Sequence, residues 1–149
     1  MNKAAWASLL ALAFVAGFLI FYRPASNPAP QNTQSTSSQQ ALKTKADEQA
    51  NVTVVVTPKD VSSQSAKWTF DVGMNTHSVE LDQDMTKIAV LIDDQGKGYA
   101  PTDWDGPVGG HHREGILTFN RPDPLPRTIR IKISGIGDVT RTFNWDIQR

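Results

Sequence analysis

The strongest structural signal in this chain is the stretch 128-TIRIKISGIGDVTRTFNWDI-147. Isoleucine alternates with polar residues from Ile129 to Ile133, and apolar residues alternate with polar ones again from Val139 to Ile147. A period of two places alternate side chains on opposite faces of a β-strand. Residues 134–138 supply serine, glycine and aspartate, which favour a turn. The stretch therefore predicts a hairpin with one dry face and one wet face.

Shorter runs of the same kind lie upstream of this hairpin. They are Val52-Val54-Val56, which Pro58 should end, Trp68-Phe70-Val72 with Met74 in register, Val79-Leu81, Ile88-Val90-Ile92 and Leu117-Phe119. A turn from Asp93 to Gly98 follows the fourth run and leads to Tyr99. No run has a helical period, and a single sheet would leave its apolar face uncovered.

The predicted fold is therefore an all-β, immunoglobulin-like antiparallel β-sandwich of about seven strands over residues 51–149. A small β-barrel is the alternative. Trp68 and Trp145 lie in register with apolar neighbours and are predicted to fill the core. They must do so without a disulfide, because the chain has no cysteine.

Composition excludes several functions. The chain has 15 basic and 15 acidic side chains, so it has no net field to attract nucleic acid. The lack of cysteine excludes disulfides, thiolate metal sites and thiol nucleophiles.

An apolar segment opens the chain. Ala4 to Tyr22 is a run of 19 uncharged residues, long enough as a helix to span about 28 Å. A cleavable signal peptide is the alternative, but its apolar region is about 7–15 residues long and ends in small residues. Here bulky residues occupy 18–22. We therefore expect residues 1–23 to be an uncleaved transmembrane anchor that binds the bilayer through residues 4–22. The C-terminal domain should then lie outside the cytoplasm.

Residues 24–50 are rich in Pro, Ser, Thr, Asn, Gln and Ala, with Leu42 as their one large aliphatic residue. Such a composition predicts a disordered linker, with at most a helical turn or two over residues 41–50.

Three segments of the domain carry a family resemblance. They are Leu91 to Tyr99, with a D-x-x-G-x-x-Y turn, Gly115 to Phe119, with the pattern G-x-L-x-F, and Ile129 to Ile133. The chain resembles, in these segments, the small immunoglobulin-like domains found beside N-terminal anchors in uncharacterised prokaryotic envelope proteins. The resemblance implies the sandwich fold, a place in the cell envelope and a role as a tethered binding or scaffold module. It implies no activity.

All three histidines fall in two loop-like segments, residues 75–84 and 104–113. If these segments meet, His77 with His111 or His112, together with Asp82 or Asp84, would offer nitrogen and oxygen ligands to copper or zinc. However, adjacent histidines on an extended segment point to opposite sides, and no recognised ligand spacing is present. No cofactor is therefore predicted, and a copper or zinc site remains the alternative.

Acidic residues are concentrated between Asp71 and Asp105. This stretch has eight acidic side chains and two lysines, a charge of −6. Neither Asp82 to Thr86 nor Asp103 to Gly106 completes a calcium loop, so the stretch predicts a solvated acidic face.

Motifs for catalysis are weak. The chain has no Gly-x-Ser-x-Gly elbow, and Ser78 cannot pair with the adjacent His77, because neighbours on a strand diverge. Trp104 and Arg113 flank a turn-rich segment and are candidate contacts for a partner. The sequence predicts a non-enzymatic, membrane-tethered binding or assembly module for another envelope protein. A metal-binding domain is the alternative, and a hydrolase is a residual possibility.

Overall fold

The computed structural model describes residues 42–147. The predicted anchor, Ala4 to Tyr22, lies outside the described residues, as does most of the predicted linker. Between residues 42 and 147, no helix combines the length and the apolar character that a bilayer crossing requires.

Two antiparallel sheets make up the described domain. Their strands are β1 (Lys45–Gln49), β2 (Val52–Asp60), β3 (Lys67–Thr76), β4 (Ala89–Asp93), β5 (Gly98–Tyr99), β6 (Pro101–Asp105), β7 (His112–Asn120), β8 (Thr128–Ile136) and β9 (Val139–Asp146). The first sheet has the order β1-β2-β3-β7-β6 and the second has the order β5-β4-β8-β9. The described part also has one four-residue helix, α1 (Met85–Ile88). The prediction of an all-β, two-sheet fold is confirmed, and the two separate sheets argue against the barrel.

The core lies between the inner faces of the two sheets. Phe70 of β3 meets Trp145 of β9 across the interface, with 5.9 Å between ring centroids, and Phe119 packs edge-on against Phe70. Trp68 and Trp145 are both buried, as predicted. Burial of each such side chain stabilises the fold by about 1.5–3 kcal/mol, which a domain without disulfides needs.

Three strand predictions are wrong in detail. Strand β2 continues past Pro58, with a bulge before Asp60. Pro58 is tolerated because β1 pairs with β2 only as far as Val56, so the missing amide faces an open edge. Residues 77–84 form a loop, in which Leu81 is nevertheless buried.

The third error concerns the run from Ile88 to Ile92. Asp84 caps α1 by accepting a hydrogen bond from the Thr86 amide at 3.0 Å, and the helix turns Met85 into the core. Strand β4 therefore starts at Ala89. Ala89 and Leu91 are buried, whereas Val90 and Ile92 lie on the outer face and are half-buried.

Strand β1 also corrects the prediction for residues 24–50. Residues 45–49 form a strand rather than linker or helical turns, so the folded part begins before residue 51. Ala50 and Asn51 both have positive φ, 50° and 59°, which is the geometry of a two-residue hairpin turn between Gln49 and Val52. This turn folds β1 onto the free edge of β2.

The sandwich has two distinct ends. At the near end, where residues 42–44 lie, Lys43 O accepts a hydrogen bond from Trp145 Nε1 at 2.7 Å. At the far end, the loops 77–84 and 106–111 lie beside the turns 50–51 and 137–138. Thr76 Oγ1 donates to Asn51 O at 2.8 Å there, and Gly137 lies against Ala50.

Candidate functional site

The two histidine-bearing segments meet at the far end. The amide of Leu81 donates to Gly110 O at 3.2 Å, and the amide of Gly109 donates back to Leu81 O at 3.0 Å. A further bond joins the Thr76 amide to His111 O at 3.0 Å. The loops 77–84 and 106–111 are thus tied together through their backbones.

Arg113 lies beneath these loops and is only 2% exposed. Its Nε donates to Pro107 O at 2.8 Å, and its Nη1 donates to Leu81 O at 2.7 Å and to Gln83 O at 2.9 Å. Burial lowers the pKa of Arg113, and the charges of Asp82 and Asp84 oppose that shift. Arg113 was a predicted partner contact, but its side chain is occupied inside the fold. Its register opposite Met74 places it on the inner face of β7, and the period of two from Phe119 and Leu117 could have revealed this.

Trp104, which flanks the turn-rich segment of the sequence, belongs to strand β6 and lies opposite Leu117. Its half-buried ring lies over the Arg113 guanidinium, at 5.5 Å from the ring centroid, and its Nε1 donates to Pro107 O at 3.3 Å. Glycine at position 115 allows the Trp104 ring to take this position, because a Cβ there would lie 2.8 Å from the ring and 2.5 Å from Asp105 O. Trp104 therefore covers Arg113 as well as presenting one edge to solvent.

The loop 106–111 is held in a definite shape. Gly109 and Gly110 have φ of 86° and 87°, and the Gly110 amide donates to Glu80 Oε1 at 2.7 Å. Between these anchors and Pro107, the side chain of Val108 is 70% exposed. No other large hydrophobic side chain within residues 42–147 is exposed. A fixed loop thus presents one apolar side chain to solvent.

The histidines are only partly brought together. The rings of His77 and His112 lie 6.4 Å apart and nearly perpendicular, and all three histidines are exposed. His112 Nδ1 lies 2.6 Å from Asn75 Oδ1, and since an amide oxygen can only accept, the ring nitrogen donates. Within the described part of the chain, no group of three or more His, Asp or Glu side chains could hold a metal ion. Asp82 and His111 therefore do not join His77 and His112 in a ligand set.

The D-x-x-G-x-x-Y motif builds a turn at the near end. Asp93 accepts hydrogen bonds from the amides of Gln95 and Lys97 and from the Tyr99 hydroxyl, at 2.8–2.9 Å. Partial burial acts to raise the pKa of Asp93, but these bonds lower it further than burial raises it. Gly96 takes the positive φ that the turn requires. The motif is thus explained by local structure.

A cleft of about 580 Å³ opens beside this turn. Its lining is mainly polar and charged, and includes Lys45, Asp94, Arg130, Asn144 and Asp146. None of the three histidines lines this cleft.

Comparison with known proteins shows no family. No family model matches the chain, and no curated protein matches it. Among solved structures, a DUF4426 family protein from Pseudomonas aeruginosa PAO1 has 14% identity and a TM-score of 0.41, over 68% of this chain and 93% of that one. The secreted protein MPT63 from Mycobacterium tuberculosis has 12% identity and a TM-score of 0.41, over 72% of this chain and 93% of that one. Similarities of this size establish no shared function.

Proposed function

We propose that this protein is a membrane-tethered, extracytoplasmic, immunoglobulin-like domain that acts as a non-enzymatic binding or assembly module for another envelope protein. In this proposal residues 1–23 anchor the chain, and the far end of the sandwich carries the partner contact.

The strand order supports the immunoglobulin-like part of the proposal. With β2 to β9 lettered A, B, C, C′, D, E, F and G, the sheets have the orders A-B-E-D and C′-C-F-G. These are the orders of the immunoglobulin fold with one added strand. Strand β1 adds a further strand to the edge beside A.

The position of Val108 carries the functional part of the proposal. The chain enters the domain at the near end, whereas Val108 projects from the far end. In this proposal the domain presents the end opposite its attachment to the partner, and binding residues often lie on loops held by a rigid scaffold. Hydrogen bonds to Pro107 O on one side of Val108, and from the amides of Gly109 and Gly110 on the other, reduce the entropy that the loop would lose on binding.

Three carboxyl groups are poor candidates for a general acid. The pKa values of Asp60, Asp84 and Asp93 are all lowered. A carboxyl group with a lowered pKa is ionised at neutral pH and is a poor general acid.

Site-specific photocrosslinking tests the partner surface. A photoreactive phenylalanine analogue would replace Val108 in the full-length protein, in the cells that produce it, and the matched control would replace Asp94, which is exposed at the near end. We expect a discrete adduct with another envelope protein from position 108 and none from position 94. No adduct from position 108, or the same adduct from both positions, would contradict the proposal.

Mass analysis of the mature protein tests the anchor. The proposal expects an intact N-terminus in the membrane fraction. A mature chain that starts between Pro24 and Gln31 would instead indicate a secreted domain.

One observation favours the metal-binding alternative, the contact between His77 and His112. Donation from Nδ1 to Asn75 would leave the Nε2 lone pair of His112 free to bind a metal. Titration of the full-length protein with copper and with zinc tests this alternative. A real site should saturate near one equivalent and be lost in His77→Ala.

A further inference from the structure

Gly73 stands apart among the glycines of the described residues. It has no positive φ, and a Cβ built on it would meet no atom within 4 Å. Each of the other described glycines has a positive φ or an atom within 3.2 Å of such a Cβ. A glycine in a strand interior makes the strand less stable than an alanine would. Neither the backbone nor the packing at this position requires a glycine.

The place of Gly73 in the sheet suggests what it provides. It lies in β3, the central strand of the five-stranded sheet, between Val55 of β2 and Glu114 of β7. Its neighbours Val72 and Met74 are buried, so position 73 faces outward. The missing side chain leaves a notch of about 230 Å³ in the outer face. Six residues line this notch: Val55, Thr57, Asp71, Gly73, Asn75 and Glu114.

The outer face around the notch is acidic. Opposite residues of antiparallel strands share a face, so the pairing places six acidic residues outward, namely Glu48, Asp60, Asp71, Asp103, Asp105 and Glu114. Lys67 lies at the near-end margin, where it bonds to Asn120. Neither Asp71 nor Glu114 forms an ion pair within residues 42–147. The acidic stretch seen in the sequence thus contributes three residues to one sheet face.

We propose that the notch at Gly73 receives a lysine or arginine side chain from a protein partner. The aliphatic stem would lie over the glycine and against Val55, and the cationic head would lie between Asp71 and Glu114. Long basic side chains bury their stems on apolar surface while their charged heads stay hydrated. A glycine in a strand interior often marks a close approach by a ligand or another backbone. This surface is distinct from the far end, so the inference does not rest on Val108.

Fluorescence anisotropy with a defined basic peptide tests the proposal. The probe is a tri-lysine amide with fluorescein at its N-terminus, titrated with the full-length protein in uncharged detergent. Gly73→Thr fills the notch, and Ala46→Thr is its matched control, because Ala46 lies in the same row of the outer face, opposite Val55. We expect Gly73→Thr to weaken binding about tenfold and Ala46→Thr to leave it within about twofold.

A second pair of variants separates the notch from general attraction to acidic surface. Asp71→Asn combined with Glu114→Gln removes two charges at the notch, and Asp123→Asn combined with Asp138→Asn removes two exposed charges elsewhere. We expect only the first pair to weaken binding about tenfold. Equal losses from both pairs, or wild-type binding by Gly73→Thr, would overturn the proposal.

Two controls complete the test. Gly73→Thr should melt at or above the wild-type temperature, because threonine favours strands and no atom opposes its Cβ. If Gly73→Thr melts at a lower temperature than the wild type, the peptide affinity of Asp71→Asn combined with Glu114→Gln alone decides whether the proposal stands. Val108→Ser should bind the peptide with the wild-type affinity. Weaker binding by Val108→Ser would place the basic contact at the far end and would overturn the proposal of a binding notch at Gly73.

Discussion

Arg141 and Arg113 are two buried arginines at the far end, and they differ in the groups to which they bond. Arg141 donates to Ile136 O and Gln49 O, each at 2.6 Å, and its Nε lies 3.2 Å from Asp47 Oδ1. Arg113 bonds only to carbonyl groups, and its Nη2 is buried with no partner. Arg141 thus has a carboxylate to balance its charge, and Arg113 has none in contact.

The difference lies in what each arginine holds. Arg141 joins β9 to the turn between β1 and β2, about ninety residues away in the chain. Arg113 holds the loops 77–84 and 106–111. These loops also bond to each other, through their backbones and through the Glu80 side chain. Arg141 therefore ties the turn between β1 and β2 to the opposite sheet, whereas Arg113 shapes a surface that has other supports. Four predictions follow from this contrast.

Removal of β1 should have the largest effect. A fragment that begins at Asn51 lacks Asp47, Gln49 O and Lys43 O, the partners of Arg141 and Trp145. Loss of one partner of a buried ion pair costs about 3–5 kcal/mol. We expect residues 51–149 to unfold at 25 °C, whereas residues 42–149 fold cooperatively. Urea denaturation followed by circular dichroism compares the two, and equal midpoints would show that β1 is dispensable.

Arg141→Met should come next, at about 3–5 kcal/mol of unfolding free energy. The substitution keeps apolar volume but leaves Asp47 and the carbonyls of Gln49 and Ile136 without their donor. Arg130→Met is the control, since Arg130 is exposed on the outer face of the same sheet and bonds to Asn144. Thermal and urea melts should separate the two variants clearly. Similar losses of unfolding free energy in the two variants would show that the burial of Arg141 does not set its contribution to stability.

Arg113→Met should cost less, about 1–3 kcal/mol. Leu81 O keeps its bond from the Gly109 amide, and Pro107 O keeps that from Trp104, so chiefly Gln83 O loses a donor. The domain should stay folded while its far end opens more often. Hydrogen exchange at Leu81, Gly109 and Gly110 should therefore become faster, with strand β8 unchanged. Uniformly faster exchange would show that Arg113 supports the whole fold.

The smallest effects concern the carboxylates. Asp47→Asn removes the negative charge 3.2 Å from Arg141 Nε but keeps an oxygen acceptor there, and the Asp47 side chain is 25% exposed, so water can screen the change. We therefore expect a loss of about 1 kcal/mol, below the cost of removing Arg141. Asp82→Asn should cost less than about 0.5 kcal/mol, because Asp82 is exposed and acts on Arg113 only through its charge. Urea midpoints measured at low and high salt test this order. A larger loss for Asp82→Asn would reverse the comparison.

Much of the fold follows from local pattern. The alternation from Ile129 to Ile133 and from Phe143 to Trp145 predicted which side chains are buried, because the period of a strand is a property of the backbone. The turn from Asp93 to Tyr99 was predicted for the same reason: its glycine and its bonds lie within a few residues. Errors arose where a short helix displaced the register, at Met85 to Ile88, and where a polar strand, Lys45 to Gln49, had no apolar face to reveal it.

The candidate site was less predictable. The meeting of the two loops was anticipated as a condition for metal binding, and it occurs. Loop-like composition around Trp104 and Arg113 concealed their places in β6 and β7, and the side chain of Arg113 is buried instead of exposed. The partner contact of Trp104 stays a prediction. Gly73 carried a weak signal, a glycine inside a strand pattern, but its meaning depends on what surrounds it.

The sequence by itself determined the two-sheet fold, the two buried tryptophans of the core and the hairpin from Thr128 to Ile147, because hydrophobic periodicity and turn chemistry act within a few residues. Only the tertiary structure decided which carbonyls bond to Arg113 and Arg141, that β1 joins the sheet, and that Asp71 and Glu114 flank an open notch. These features join positions up to about ninety residues apart. Their geometry depends on strand order and register, which chain-local patterns do not specify.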